Sequence, residues 1–178
     1  MQKYGFGWFL VMRKLIVPLL IFLLPMVATA YQNEPEDFRG IKWGTDISKL
    51  PDMVKLTQQK QCDDCLYQKK NEHFKIGDAV LSGIYYSFYK GRFYSVMIHY
   101  EKLDNFNKLK DTLTQKYGNG NKSNPYIETY DWFGKLVSIS INYKPIATEG
   151  SIFYLYNPIR EEIEKDNEEK AKKAIEDL

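Results

Sequence analysis

The one compact motif that could carry chemistry is Cys62-Asp63-Asp64-Cys65. A dithiol redox centre places its CxxC at a helix N-terminus after a strand, where the dipole lowers a thiol pKa. Here two aspartates stand between the cysteines and oppose thiolate formation, and no helical pattern follows. Haem attachment needs His directly after the second cysteine, and that residue is Leu66. A zinc site needs four ligands. Cys62, Cys65, His73 and His99 can be counted, but only the two cysteines have a ligand spacing. A Cys62–Cys65 disulfide closing a tight turn therefore ranks first, a metal site second and a redox site third. No metal or other cofactor is expected.

No other catalytic set emerges. The chain has no GxSxG, HExxH, P-loop or dinucleotide fingerprint. His73 lies in a charged stretch and reads as a surface residue. His99 lies at the end of a strand and reads as a structural histidine. Ser138 and Ser140 belong to strand alternation, and no catalytic residue is assigned.

Binding candidates are aromatic. Tyr has an apolar body and a polar tip, which suits interfaces as well as cores. A sheet face carrying Tyr85, Tyr89 and Tyr94 would bind a protein, peptide or glycan, or would pack under a helix. Arg39 and Trp43, in Phe38-Arg39-Gly40-Ile41-Lys42-Trp43-Gly44, form either a binding loop or part of a buried plug with Phe38 and Ile41. The plug ranks ahead, because large aromatics mostly pack.

The elements that position these residues centre on Val80 to Tyr100, VLSGIYYSFYKGRFYSVMIHY. It reads as two strands joined by a two-residue turn at Lys90-Gly91. Uninterrupted pairing sets Phe88 opposite Phe93, Tyr86 opposite Ser95, Tyr85 opposite Val96 and Ile84 opposite Met97. Both faces are apolar, which predicts a central position in a sheet. Tyr31 to Asp37 reads as a loose arm. Thr45-Asp46 caps a short helical turn that Pro51 ends. Met53 to Leu56 and Leu66-Tyr67 open strands. From a cap at Asp104, Phe106, Leu109, Leu113 and Tyr117 make one helix face, with Gly118 at its end. Strands follow over Tyr126 to Trp132, Leu136 to Tyr143 and Ser151 to Tyr156. In the second, Val137, Ile139, Ile141 and Tyr143 alternate with Ser138, Ser140 and Asn142, giving one buried and one wetter face. Pro158 opens a charged helix to Leu178, docked by its first turns. The fold class is α+β: a mainly antiparallel sheet, a packed amphipathic helix and a charged C-terminal helix.

The first 30 residues carry a leader pattern: Lys3, Arg13 and Lys14, then the apolar run LIVPLLIFLLPMV, then Ala28-Thr29-Ala30. The run is short for a spanning helix and holds Pro18 and Pro25, so a cleaved leader ranks ahead of a retained anchor. Met1 and Met12 are both possible starts. Cleavage leaves 22 Lys and Arg against 23 Asp and Glu, from totals of 25 and 23. The chain then lacks the basic surplus of a nucleic-acid binder. The division is a signal peptide at 1–30, an α+β domain at 31–158 and a charged helix at 159–178.

FRGIKWGTDI after a leader, the aromatic hairpin YYSFYKGRFYSVMI, a helix ending in Tyr117-Gly118 and a strand containing Trp132 together resemble a group of small exported bacterial proteins of uncharacterised function. The resemblance spans most of the chain after the leader and implies an exported α+β domain. It carries no activity and no catalytic residues, and the Cys62/Cys65 pair is not part of its pattern. The expectation is an exported, periplasmic or secreted, non-enzymatic binding or envelope-assembly module. Its partner would be an unknown protein, peptide or glycan of the cell envelope. It would bind no nucleic acid and keep no stable membrane span after leader cleavage. The alternative is an exported enzyme with a site assembled from scattered residues. A third and weaker reading is a thiol-linked protein working through Cys62 and Cys65.

Overall fold

A computed structural model describes residues 31–56 and 62–176; the expected leader and Leu178 lie outside the described residues. In chain order, β1 (Asp37–Phe38) and β2 (Ile41–Lys42) form a small hairpin, and a 3-10 turn occupies Ile47–Lys49. There follow β3 (Met53–Lys55), β4 (Asp64–Lys69), the short pair β5 (Lys75–Ile76) and β6 (Ala79–Val80), β7 (Gly83–Tyr89) and β8 (Arg92–Glu101). Then come α1 (Leu103–Tyr117), β9 (Glu128–Phe133), β10 (Val137–Lys144), β11 (Glu149–Tyr156) and α2 (Asn157–Glu176). Seven strands form one antiparallel sheet in the order β3-β4-β7-β8-β11-β10-β9, so the aromatic hairpin β7–β8 is central. The fold is α+β.

The hairpin turns as expected: Tyr89 pairs with Arg92, and Lys90 and Gly91 both take positive φ, 47° and 78°. That is the turn whose twist matches antiparallel strands. Beyond Phe88–Phe93 the expected register fails. Ser87 pairs with Ser95, Tyr86 with Val96, Tyr85 with Met97 and Ile84 with Ile98. Tyr94 is an extra residue in β8, a bulge. The bulge reverses the parity of the strand, so that Phe93, Val96, Ile98 and Tyr100 all reach the core. Uninterrupted pairing would have turned Met97 and His99 inward instead.

α1 forms because Phe106, Leu109, Leu113 and Tyr117 recur on one face, and all four are buried. Each contributes roughly 1.5–3 kcal/mol before entropy is charged. The helix packs over β6, β8 and β10, and Phe106 stacks on Tyr143 with ring centroids 5.4 Å apart. Val137, Ile139 and Ile141 are buried on this face. The cap differs from expectation: Lys102 precedes the helix, with Asp104 in the first turn. Asp46 caps the 3-10 turn, accepting the Ser48 N–H at 2.8 Å. β9 begins at Glu128 rather than Tyr126. β11 begins at Glu149, which moves the preceding turn to residues 145–148.

The N-terminal arm is docked rather than loose. The Tyr31 hydroxyl donates to the Val137 carbonyl at 2.8 Å, and Glu34 accepts the N–H groups of Leu136 and Val137. It satisfies backbone groups at the entry to β10 that would otherwise need water. Next in the chain, Phe38 and Ile41 are buried, and Trp43 stacks on Phe93 at 4.7 Å and 13°. Gly44 and Thr45 exchange backbone hydrogen bonds with Phe93, at 2.8 and 2.9 Å. The segment thus continues the sheet beside the start of β8, and the plug reading describes it.

α2 lies on the other sheet face, near the Lys90-Gly91 turn. Ile159 packs with Tyr89 and Tyr94, and Leu155 and Ile163 border them. Asn157 anchors the helix start, donating to the Gly134 carbonyl at 2.8 Å. Arg92 binds Glu162 through two bonds of 2.7 and 2.6 Å, Asp166 accepts from Tyr89 and Lys90, and Lys170 meets Asp63 at 3.3 Å. Beyond this the helix is exposed: Ala171, Ala174 and Ile175 face solvent. No described helix is long and apolar enough to cross a membrane.

Candidate functional site

Strand register decides which residues share the face opposite α1. One row across the sheet is Tyr85, Met97, Phe153, Ser140 and Asp131. The next row toward the turn at residues 145–148 is Gly83, His99, Ser151, Asn142 and Thr129. α2 covers only the end near Tyr89 and Tyr94 and leaves these rows open. Phe153 stands on an inner strand and is still 38% exposed. Phe153 pairs with Met97, and Met97 with Tyr85, so the three lie contiguous in this row.

Tyr85 is the aromatic centre of this face. Its ring lies back over Gly83, where a Cβ would stand 2.7 Å from Tyr85 Cε2, and it meets His99 edge-on at 5.5 Å. A side chain at 83 would therefore displace the Tyr85 ring. Ser151 Oγ accepts a 2.9 Å hydrogen bond from Asn142, and Lys144 pairs with Glu149 at 3.4 Å. These groups, with His99, border a cavity of about 60 Å³, room for a water-sized group. His99 and Ser151 face each other across the strands, but no hydrogen bond joins them among the described residues. The face offers a flat aromatic ring, a thioether, a phenyl ring and alternating hydroxyl and amide groups.

The structure separates the five expected binding residues into four places. Tyr85 lies on the open face. Tyr89 and Tyr94 are buried under α2, with hydroxyls donating to Asp166 and Asp64. The hydrogen bond to Asp166 pushes the Tyr89 hydroxyl up to about 12, and burial pushes that of Tyr94 up as well. Trp43 is half-buried, and its indole N–H donates to the Pro35 carbonyl at 2.9 Å. Arg39 lies on the α1 side of the sheet. Its guanidinium pairs with Glu72 and donates to the carbonyls of His73 and Lys75, at 2.7 and 2.9 Å. Glu72 also accepts from the Tyr86 hydroxyl, whose pKa is pushed up by burial and then by this bond. The carboxylate beside Arg39 is thus engaged on both oxygens in structural bonds.

Cys62 and Cys65 sit at disulfide distance with Cα atoms 5.5 Å apart, next to the Lys90-Gly91 turn. Asp63 O accepts the Lys90 N–H at 2.6 Å. Among the described residues no three His, Cys, Asp or Glu side chains gather as a metal would require. Met97, Phe153 and Ser151 were missed by sequence reasoning. For Met97 the obstacle was the bulge, and for Phe153 nothing in composition separates an open-face phenylalanine from a core one. Comparison of the chain with protein-family models, curated protein sequences and solved structures finds no match.

Proposed function

We propose that the protein is an exported, non-enzymatic module that binds or helps assemble a component of the cell envelope through its open sheet face. Phe153 carries this reading: a large apolar side chain, beside Met97 and in the same row as Tyr85, left uncovered on an inner strand of the sheet. The mixed row of aromatic, thioether and hydroxyl groups suits a protein or peptide surface better than a small charged metabolite. The leader pattern supports export, and the structural commitment of Glu72 supports a binding role over acid–base chemistry at Arg39.

Site-specific photo-crosslinking in the native cell tests it. A crosslinker at Phe153 or Tyr85 is expected to form a discrete adduct with an envelope component, and one at Asn107 on the outer side of α1 is not. Absence of adducts from both open-face positions, or an equal adduct from Asn107, would overturn the reading. N-terminal sequencing of the purified native protein is expected to begin at or near Tyr31; a chain beginning at Met1 or Met12 would refute export by cleavage.

A further inference from the structure

On the α1 side of the sheet, away from the open face, a cavity of about 230 Å³ lies between the β1–β2 hairpin, α1 and β11. Its walls are Phe38, Leu109, Leu113 and Tyr117, and its floor is Ile152 and Tyr154. An apolar cavity of about 150 Å³ takes a benzene ring, so this one accommodates a chain of about six to eight carbons.

Three charged residues line the cavity: Asp37, Arg39 and Lys116. Asp37 is the one carboxylate lining it, and its Oδ1 is engaged by the Gly40 N–H at 3.0 Å. Arg39 is neutralised by Glu72. Lys116, also on the rim, forms no ion pair among the described residues; its ammonium lies 5.1 Å from the centroid of the Tyr117 ring. A helix C-terminus ordinarily disfavours an anion. Here its carbonyls are occupied: Thr114 O by the Gly118 N–H, Lys116 O by Asn33 and Gly118 O by the Trp132 indole, at 2.9, 2.8 and 2.8 Å. Lys116 is the charged residue that α1 contributes to the lining.

We propose that this cavity binds a medium-chain carboxylate, its chain against Leu109, Leu113 and Ile152 and its head at Lys116. A second ligand class is thereby assigned to a site independent of the open face.

The purified protein is titrated with octanoate and with 1-octanol, followed by NMR. Octanoate is expected to shift Leu109, Leu113 and Ile152 methyl resonances and to show contacts from its chain to them. Lys116→Gln, an exposed change, is expected to weaken octanoate about two- to fivefold and leave 1-octanol unchanged. Leu113→Phe, which fills the cavity, is expected to abolish binding of both; if it does not fold, the chain contacts to Leu109 and Ile152 still locate the ligand. Failure of both probes to bind, or shifts confined to other surfaces, overturns the site. Binding of 1-octanol at least as tight as octanoate, or no effect of Lys116→Gln, overturns the anionic head.

Discussion

Phe93 and Val96 both point into the core, although they stand three positions apart in one strand. Tyr94 makes this possible by standing unpaired between Phe88–Phe93 and Ser87–Ser95, turned to the far face under α2. Excising Tyr94 would force either Phe93 or the set Val96, Ile98 and Tyr100 outward. Loss of cooperative thermal unfolding is the expected outcome. Tyr94→Phe keeps the bulge and removes the hydroxyl with its hydrogen bond to Asp64, a loss of about 0.5–1.5 kcal/mol. Denaturant titration compares the two variants; a deletion variant that unfolds like wild type would contradict the register.

Leu113 is 5% exposed beneath α1, whereas Ser140 is on the open face. Leu113→Ala is expected to cost roughly 2–5 kcal/mol, as a large-to-small core change. Ser140→Ala is expected to stay within about 0.5 kcal/mol. Chemical denaturation of both variants decides which face is covered: similar losses would mean the assignment is wrong.

The α2 clamp should hold in a window of pH. Lys90 and Arg92 keep the carboxyls of Asp166 and Glu162 below their ordinary values of 3.8 and 4.5. A carboxylate lowered on folding stabilises the folded form above its unfolded pKa and loses that contribution as pH falls through the lowered value. Docking of α2 should therefore weaken progressively below about pH 4. On the alkaline side Tyr89, raised from 10.0 to about 12, contributes fully below 10 and loses its contribution as pH rises through 12. Amide exchange of residues 159–170, compared at pH 3 and pH 6 after correction for intrinsic rates, should show faster opening in acid. Equal protection would remove the clamp from the account.

Reduction of the Cys62–Cys65 pair should lower stability by about 2 kcal/mol, the chain-entropy value for so short a loop. Insulin-reduction activity is expected to be absent, because Asp63 and Asp64 oppose a thiolate. Thiol labelling of unreduced protein, or activity lost in Cys62→Ser, would reverse the assignment.

Residues close in sequence told most of the fold. The two-residue turn at Lys90-Gly91, the α1 stripe from Phe106 to Tyr117 and the alternation from Val137 to Tyr143 were legible because helix and strand periods are local. So was the Cys62–Cys65 turn. The candidate site was far less legible. Of the expected tyrosines only Tyr85 reached the open face, and Arg39 found its partner Glu72 thirty-three residues away.

The sequence by itself determined the main element types, the antiparallel character and the buried sides of α1 and β10, since these follow from backbone geometry and the apolar period. Only the tertiary structure decided that Tyr94 bulges, that Phe153 stays uncovered, that α2 closes over Tyr89 and Tyr94, and that a cavity remains beside Arg39. Those outcomes depend on register and packing between distant segments. A single unpaired residue reverses which side chains face inward without changing composition, and the space left between two packed elements belongs to neither of them alone.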